Sequence, residues 1–194
     1  MPPPALVATA GGATANTYVT QADATTYFLT RTDTTAWTGA SSDERDTALL
    51  FATTLLDREK WKGVRGMTPA GALTQALSWP RRWAPTLEAD AEPEMITGEW
   101  EDLTLAYYSE LTIPQPVVRA TCELALEILR AATTDPFASG ASPSDGVKRK
   151  KIDVLETEYF DPSDRSTGLG RFPSVIALVA HLLREGGATE VDRV

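Results

Sequence analysis

The sequence has little of the chemistry that metal centres and disulfides require. It contains one cysteine, Cys122, and one histidine, His181. A single cysteine cannot form a disulfide within the chain, and it excludes zinc sites built from several cysteines. Proteins without disulfides are typical of reducing compartments, so we expect a soluble protein that works in the cytoplasm.

Long apolar stretches are also missing. No run approaches the roughly 20 apolar residues that a membrane-spanning helix requires. Residues 1–16 are rich in proline, alanine and glycine, and they lack the charged and apolar regions of a signal peptide. We therefore expect neither a membrane span nor a signal peptide, and we predict a flexible N-terminal arm over 1–16.

Positive charge is scarce. The chain has 18 lysines and arginines against 27 aspartates and glutamates, a net charge of −9. This balance argues against a protein that wraps duplex DNA with its whole surface, because phosphate binding needs clustered positive charge. The acidic residues concentrate in an acidic insert at about 86–112 that contains no lysine or arginine: Glu88, Asp90, Glu92, Glu94, Glu99, Glu101, Asp102 and Glu110.

Catalytic motifs are absent as well. The carboxylates of the acidic insert match no calcium loop, so a solvated acidic face is favoured over a cation site or an acid–base pair. Phosphate-binding glycine motifs and Walker-type lysines are not present. His181 lies in an apolar helix, which is typical of a core or interface histidine. We expect no enzyme activity, no cofactor and no bound metal.

Apolar periodicity predicts a mainly α fold. With 42% hydrophobic and 23% charged residues in 194, the chain is typical of a single globular domain. Helices are predicted after Thr20, after Ser42 (without a capping box), after Pro114 and after Phe172. The sum is a helical bundle of about four to five helices with an extended or hairpin β-leaning arm. The parts are a helical body (17–135, including the insert), the arm or hairpin (136–171), a C-terminal helix (172–186) and a tail (187–194).

The stretch QALSWPRR, residues 75–82, places two tryptophans around a Pro-Arg-Arg corner. It fits a base-stacking platform, a partner-docking corner or a structural elbow. We predict a short helix over 71–79, because proline restricts the residue before it and so ends a helix there. We favour burial of both Trp79 and Trp83 in a small helical core, because each indole buries a large apolar area. Arg81 and Arg82 beside exposed indoles would instead suit stacking on bases.

A basic run, Lys148, Arg149, Lys150 and Lys151, follows a Gly/Ser/Pro-rich stretch. It can contact phosphate or an acidic protein surface, and a merely solvated face is an equal alternative.

Several blocks in order resemble a known family: ANTYVTQADATTYF, ALLFATTLLDREKWKG, QALSWPR, IPQPVVRATCELALEIL and FPSV. They are similar to the head–tail connector adaptors of tailed phages and gene transfer agents, a group also labelled DnaT-like single-stranded DNA-binding proteins. The acidic insert is longer than in that pattern. The motif positions are Trp61, Gly63, Gln75, Leu77, Trp79, Pro80, Arg81 and Pro114.

The resemblance implies a structural virion protein that forms a ring, dodecameric in the family, beneath the portal. Its partners would be the portal protein, neighbouring adaptor subunits, a tail or stopper protein, and the DNA passing through the channel. It would lie in the virion neck, after assembly in the host cytoplasm. In this interpretation Pro80 ends a helix, Trp79 anchors the core, Arg81 faces a partner or an acidic neighbour, and 136–171 docks on the portal. The alternative is a single-stranded DNA-binding protein of primosome type, against which the net acidity argues.

Overall fold

The computed structural model describes residues 2–66, 75–87, 107–131, 147–151, 156–159 and 168–184. Within these ranges the chain is mainly helical, as predicted, with two small antiparallel sheets. The helices are α1 (Gln21–Phe28), α2 (Thr35–Gly39), α3 (Ser42–Asp57), α4 (Gln115–Arg130) and α5 (Pro173–Val179). The strands are β1 (Val64–Arg65), β2 (Arg81–Arg82), β3 (Val147–Lys151) and β4 (Glu156–Tyr159).

The first helices begin at side-chain caps. The Thr20 hydroxyl accepts a hydrogen bond from the Asp23 amide at the start of α1, as the sequence predicts. At α3 the cap is Ser41 and not Ser42. Ser41 and Glu44 form a complete capping box, each side chain bonded to the other's backbone amide. The helix therefore starts at Ser42 as predicted, and the prediction that it lacks a capping box was wrong.

The core lies where α3 and α4 pack together, with α5 against α4. Helix α3 carries an apolar stripe at helical spacing, and all five of its residues are buried: Ala48, Leu49, Ala52, Leu55 and Leu56. Helix α4 follows Pro114, which is its N-cap residue, and has a proline in its first turn. Its buried side includes Val117, Leu124 and Ala125. These two helices form the centre on which the remaining elements pack.

A charged group lies in this core. Glu123 on α4 is 8% exposed. It accepts a hydrogen bond from the Tyr27 hydroxyl at 2.5 Å and forms an ion pair with Arg31 at 2.8 Å. A buried carboxylate is tolerated when it is paired and hydrogen-bonded, so this cluster ties α1 to α4.

The C-terminal helix is shorter than predicted. Helix α5 ends at Val179 and continues as a 3-10 turn over Ala180–Leu182. Leu183 is extended and bridges to Trp61, and the Arg184 amide donates to the Lys60 carbonyl at 2.9 Å. The end of the described chain therefore lies beside the residues that follow α3.

The N-terminal segment has no helix or strand over 2–16. It lies against the body, because the Ala76 amide donates to the Gly12 carbonyl at 3.0 Å and Ala15 is buried. In the predicted arm or hairpin at 136–171, β3 and β4 form an antiparallel hairpin. The rest of that segment up to residue 167, most of the acidic insert and the tail lie outside the described residues.

Candidate nucleic-acid interface

The Trp-Pro-Arg corner, residues 79–83, is built on a two-stranded ribbon. Strands β1 and β2 pair antiparallel, with Val64 opposite Arg82 and Arg65 opposite Arg81. The Trp79–Pro80 peptide bond is cis, and residues 76–78 form bends. A helix was predicted over 71–79; residues 75–79 are not helical, and 71–74 lie outside the described residues. The chain therefore enters Pro80 from a series of bends and not from the end of a helix.

Trp79 anchors the corner in the core, as predicted. It is 1% exposed and meets Trp61 edge to face, with ring centroids 5.4 Å apart. The Trp61 indole N–H donates to the Leu56 carbonyl at 3.1 Å, which joins the pair to the end of α3. Aromatic pairs in this geometry contribute about 0.5–1.5 kcal/mol beyond the area they bury.

The turn before Trp79 is held by polar contacts. Gln75 is buried, and its amide donates to the Leu77 carbonyl at 2.8 Å and to the Pro80 carbonyl at 3.2 Å. The Ser78 amide donates to the Asp57 carboxylate at 2.6 Å. Leu77 is partly buried against the core. These hydrogen bonds connect the turn to Pro80 and to the end of α3.

Arg81 forms no ion pair among the described residues, although the charge of Asp57 acts on it, and its facing a partner stays a prediction. Its guanidinium donates to backbone carbonyls, at 2.8 Å to Lys62, 2.9 Å to Gly63 and 3.3 Å to Ser78. Burial lowers the pKa of Arg81, and the nearby charge of Arg184 acts in the same direction. Arg81 therefore stabilises the turn by hydrogen bonds to its backbone, and these bonds hold its positive charge in one position.

Trp83 is not in the core, so the prediction that both tryptophans are buried was wrong for this residue. It is 59% exposed and has a φ of 55°, in the left-handed region. The Arg82 guanidinium lies over its ring, 5.2 Å from the centroid. Arg82 also forms an ion pair with Glu110 at 2.6 Å, in which both side chains are about half exposed. An indole and a guanidinium are thus presented together at the surface.

Further apolar surface flanks Trp83. The Tyr108 amide donates to the Ala84 carbonyl at 2.8 Å, and Tyr107 bridges to Pro85. This backbone pairing brings Tyr107, which is 39% exposed, beside the segment that follows Trp83. Leu87 is also exposed. The described surface around the corner therefore combines aromatic, aliphatic and cationic side chains.

The basic run lies on β3, in the other sheet. Arg149 is in register with Glu158, and Lys151 with Glu156. A register shift falls between Val147 and Arg149, and Lys150 is opposite Thr157. Two of the four basic residues are therefore in register with glutamates.

Most of the motif positions lie together in the structure. Trp61, Gly63, Gln75, Leu77, Trp79, Pro80 and Arg81 meet around the ribbon. Pro114 lies apart from that set, as the cap of α4. The exposure of Trp83 and the approach of Arg184 were missed, because both depend on pairing between distant segments that no local pattern encodes.

Within the described ranges, no cluster of histidine, cysteine or carboxylate side chains is arranged to hold a metal ion. In the same part of the chain, no helix is both long enough and apolar enough to cross a bilayer.

Fold and corner together define a small, mainly helical protein that presents a tryptophan and an arginine side by side at its surface. Over residues 5–194 the chain matches the family described as "Putative DnaT-like ssDNA binding protein". Because the match spans nearly the whole chain, the protein belongs to this family. Searches of curated proteins and of solved structures found no match.

Proposed function

We propose that this protein binds single-stranded DNA, with a base stacked on Trp83 and Arg82 beside it. The observation that carries the proposal is the exposed indole under a guanidinium at the edge of a rigid ribbon. Proteins that bind single strands use exposed aromatic rings as stacking surfaces, since every base has a π-face. The family description supports the same class of ligand.

The backbone at Trp83 adds to this argument. A non-glycine residue in the left-handed region costs about 1–2 kcal/mol, and Trp83 gains no core packing in return. Backbone strain of this kind concentrates at functional sites, where it fixes the direction of a side chain. Here it holds the indole outward from the corner, where a base can reach its face.

Electrostatics set the expected strength of binding. The net charge of −9 repels a polyanion at long range. In addition, Arg82 already forms an ion pair with Glu110. The corner therefore has to bind through stacking and a few local phosphate contacts. We expect weak to moderate affinity that falls as salt rises.

The test is a binding titration of a fluorescent oligothymidylate with the unchanged protein and with Trp83→Asn. Asparagine tolerates the left-handed region, so the variant should fold. Loss of one stacking contact should weaken binding by about 1–3 kcal/mol, or about 5-fold to 150-fold in Kd. Leu111→Ala, at an exposed residue outside the corner, is the matched control. Equal affinity of Trp83→Asn and the unchanged protein would contradict the proposal.

A second candidate function is the connector adaptor that the sequence resemblance implies. The β3–β4 hairpin favours it, because each strand of a two-stranded sheet keeps one edge for pairing with another chain. Under this proposal the hairpin docks on a portal ring, and the acidic body lines a channel through which DNA slides.

The adaptor proposal is tested by sedimentation of the chain with and without the portal protein of the same genome. Replacement of 147–160 by a Gly/Ser linker should leave the body folded and abolish co-sedimentation. If the unchanged chain does not co-sediment with the portal, the adaptor proposal fails. If the linker variant still binds, the hairpin is not the docking element.

A further inference from the structure

Two arginines converge on one backbone carbonyl beside the corner. Arg81 donates to the Gly63 carbonyl at 2.9 Å, and Arg184 approaches the same oxygen at 3.5 Å. A third, Arg65, lies opposite Arg81 in the ribbon and donates to the Gln75 and Ala76 carbonyls at 2.5 and 2.7 Å. Three guanidinium groups therefore lie close together.

These charges are poorly compensated. Among the described residues, the ion pairs involve Arg31, Arg82 and Arg130, and none involves Arg81 or Arg184. Asp57 lies near Arg81, but its carboxylate accepts hydrogen bonds from Tyr18 and from the Ser78 amide. Arg81 also donates to the Lys62 and Ser78 carbonyls, but neutral carbonyls do not cancel the charge of either guanidinium group. Such a group of like charges is an attractive place for an anion.

The Gly63 backbone, which supplies the shared carbonyl, packs closely against the backbone of residues 82–84. Gly63 has a φ of 74°, and a Cβ there would overlap the Arg82 carbonyl and come within about 3 Å of the Ala84 amide and the Trp83 carbonyl carbon. Only glycine lets the two backbones approach this closely. Gly63, whose carbonyl the two arginines share, therefore packs directly against the backbone that carries Trp83.

The two arginines differ in freedom. Arg81 is held by several carbonyls, so its charge is fixed in place. Arg184 is exposed, and its contact of 3.5 Å to Gly63 is at the limit of a hydrogen bond. Arg184 can exchange that contact for a stronger, charge-assisted bond to an anion without disturbing the turn.

We propose that Arg184, with Arg81 fixed behind it, binds the backbone phosphate of the nucleotide whose base stacks on Trp83. This inference rests on the proposed function and adds the phosphate site to it. A guanidinium matches the geometry of a phosphate and can donate two parallel bonds to it. The strand then follows the ribbon, with base and phosphate held by separate side chains.

The experiment is the salt dependence of oligothymidylate binding for the unchanged protein, Arg184→Gln, Arg184→Lys and Arg119→Gln. Arg119 is an exposed arginine of α4, so its variant removes the same charge elsewhere. Loss of one phosphate contact reduces the slope of log K against log salt by about 0.7 for a single strand. We expect this reduction for Arg184→Gln, with the unchanged slope in Arg184→Lys and Arg119→Gln.

Trp83→Asn separates the two claims. It should weaken binding but keep the slope, because it removes stacking and no charge. If Arg184→Gln binds with the unchanged slope and affinity while Trp83→Asn is weakened, the phosphate site is wrong and the proposed function stands. Equal losses in Arg184→Gln and Arg119→Gln would also overturn the site, since they indicate long-range charge alone. If the unchanged protein binds no oligonucleotide, both proposals fail.

Discussion

Trp79 and Trp83 are four positions apart on one corner, yet Trp79 is 1% exposed and Trp83 is 59% exposed. The ribbon of β1 and β2 separates them, with one indole packed on Trp61 and the other under the Arg82 guanidinium. The two residues therefore have different roles, one in stability and one at the surface, and substitutions can distinguish them.

Trp79→Ala is expected to destabilise the fold. Removal of a buried indole typically costs about 3–5 kcal/mol, because contacts are lost and a cavity remains. Trp83→Asn removes an exposed indole and relieves the backbone, so it should melt at or above the temperature of the unchanged protein. Thermal melts of both variants check this pair. A Trp79→Ala protein as stable as the original would mean that the Trp61–Trp79 contact does not support the core.

Glu110→Gln is expected to strengthen DNA binding. The Arg82–Glu110 ion pair is half exposed, so it contributes only about 0.2–1 kcal/mol to stability. Removal of the carboxylate frees Arg82 and takes a negative charge away from the stacking surface. Titration should show a Kd lower by roughly 1.5-fold to 5-fold. Asp43→Asn, at an exposed residue of α3, is the control for net charge. A stronger effect of the control than of Glu110→Gln would assign the gain to net charge.

The four residues of the basic run should contribute unequally to the salt dependence of DNA binding. Arg149 and Lys151 stand opposite glutamates, whereas Lys148 and Lys150 do not. If the run contacts DNA, Lys148→Gln with Lys150→Gln should reduce the salt slope by about 1.4, for two phosphates on a single strand. We expect a smaller reduction for Arg149→Gln with Lys151→Gln, because directly opposite positions of an antiparallel pair interact and these two are in register with glutamates. Equal reductions in both double variants would show that the cross-strand glutamates do not compensate the run.

Stability should fall at alkaline pH. Burial raises the pKa of Cys122 from its ordinary 9.0 to about 12, and burial also raises the pKa values of Tyr27 and Tyr18 above their ordinary 10.0. The unfolded chain ionises these groups while the folded protein keeps them neutral. Their contribution is complete below about pH 9 and is lost as pH rises further. Urea unfolding between about pH 8 and about pH 11 measures it. The decline should be shallower in Cys122→Ala, and a flat profile in the unchanged protein would contradict the burial of these groups.

Much of the fold could be predicted from the sequence. The stripe of α3 and the start of α4 after Pro114 are local patterns, set by helical periodicity and by proline at a helix start. Trp79 could be predicted as a core residue because an indole buries a large apolar area, although the same argument wrongly placed Trp83 in the core. These predictions agree with the structure because the packing of the whole chain favours the same helices and the same buried residues as the local sequence does.

The stacking surface could not be predicted in the same way. The direction of Trp83 depends on the pairing of β1 with β2 and on the close approach at Gly63. Arg184 reaches Gly63 from 121 residues away, after Leu183 bridges to Trp61. Contacts between distant segments leave no periodic signal, and the two-residue strands are too short for alternation to appear.

Photocrosslinking tests the central claim most directly, because it maps the contact on the unchanged protein. An oligonucleotide that carries iodouracil is bound, irradiated at low salt, digested and analysed by mass spectrometry. A base stacked on an indole crosslinks to that ring, so the account predicts a crosslink at Trp83. Crosslinks confined to the β3–β4 hairpin, with none at the corner, would contradict it.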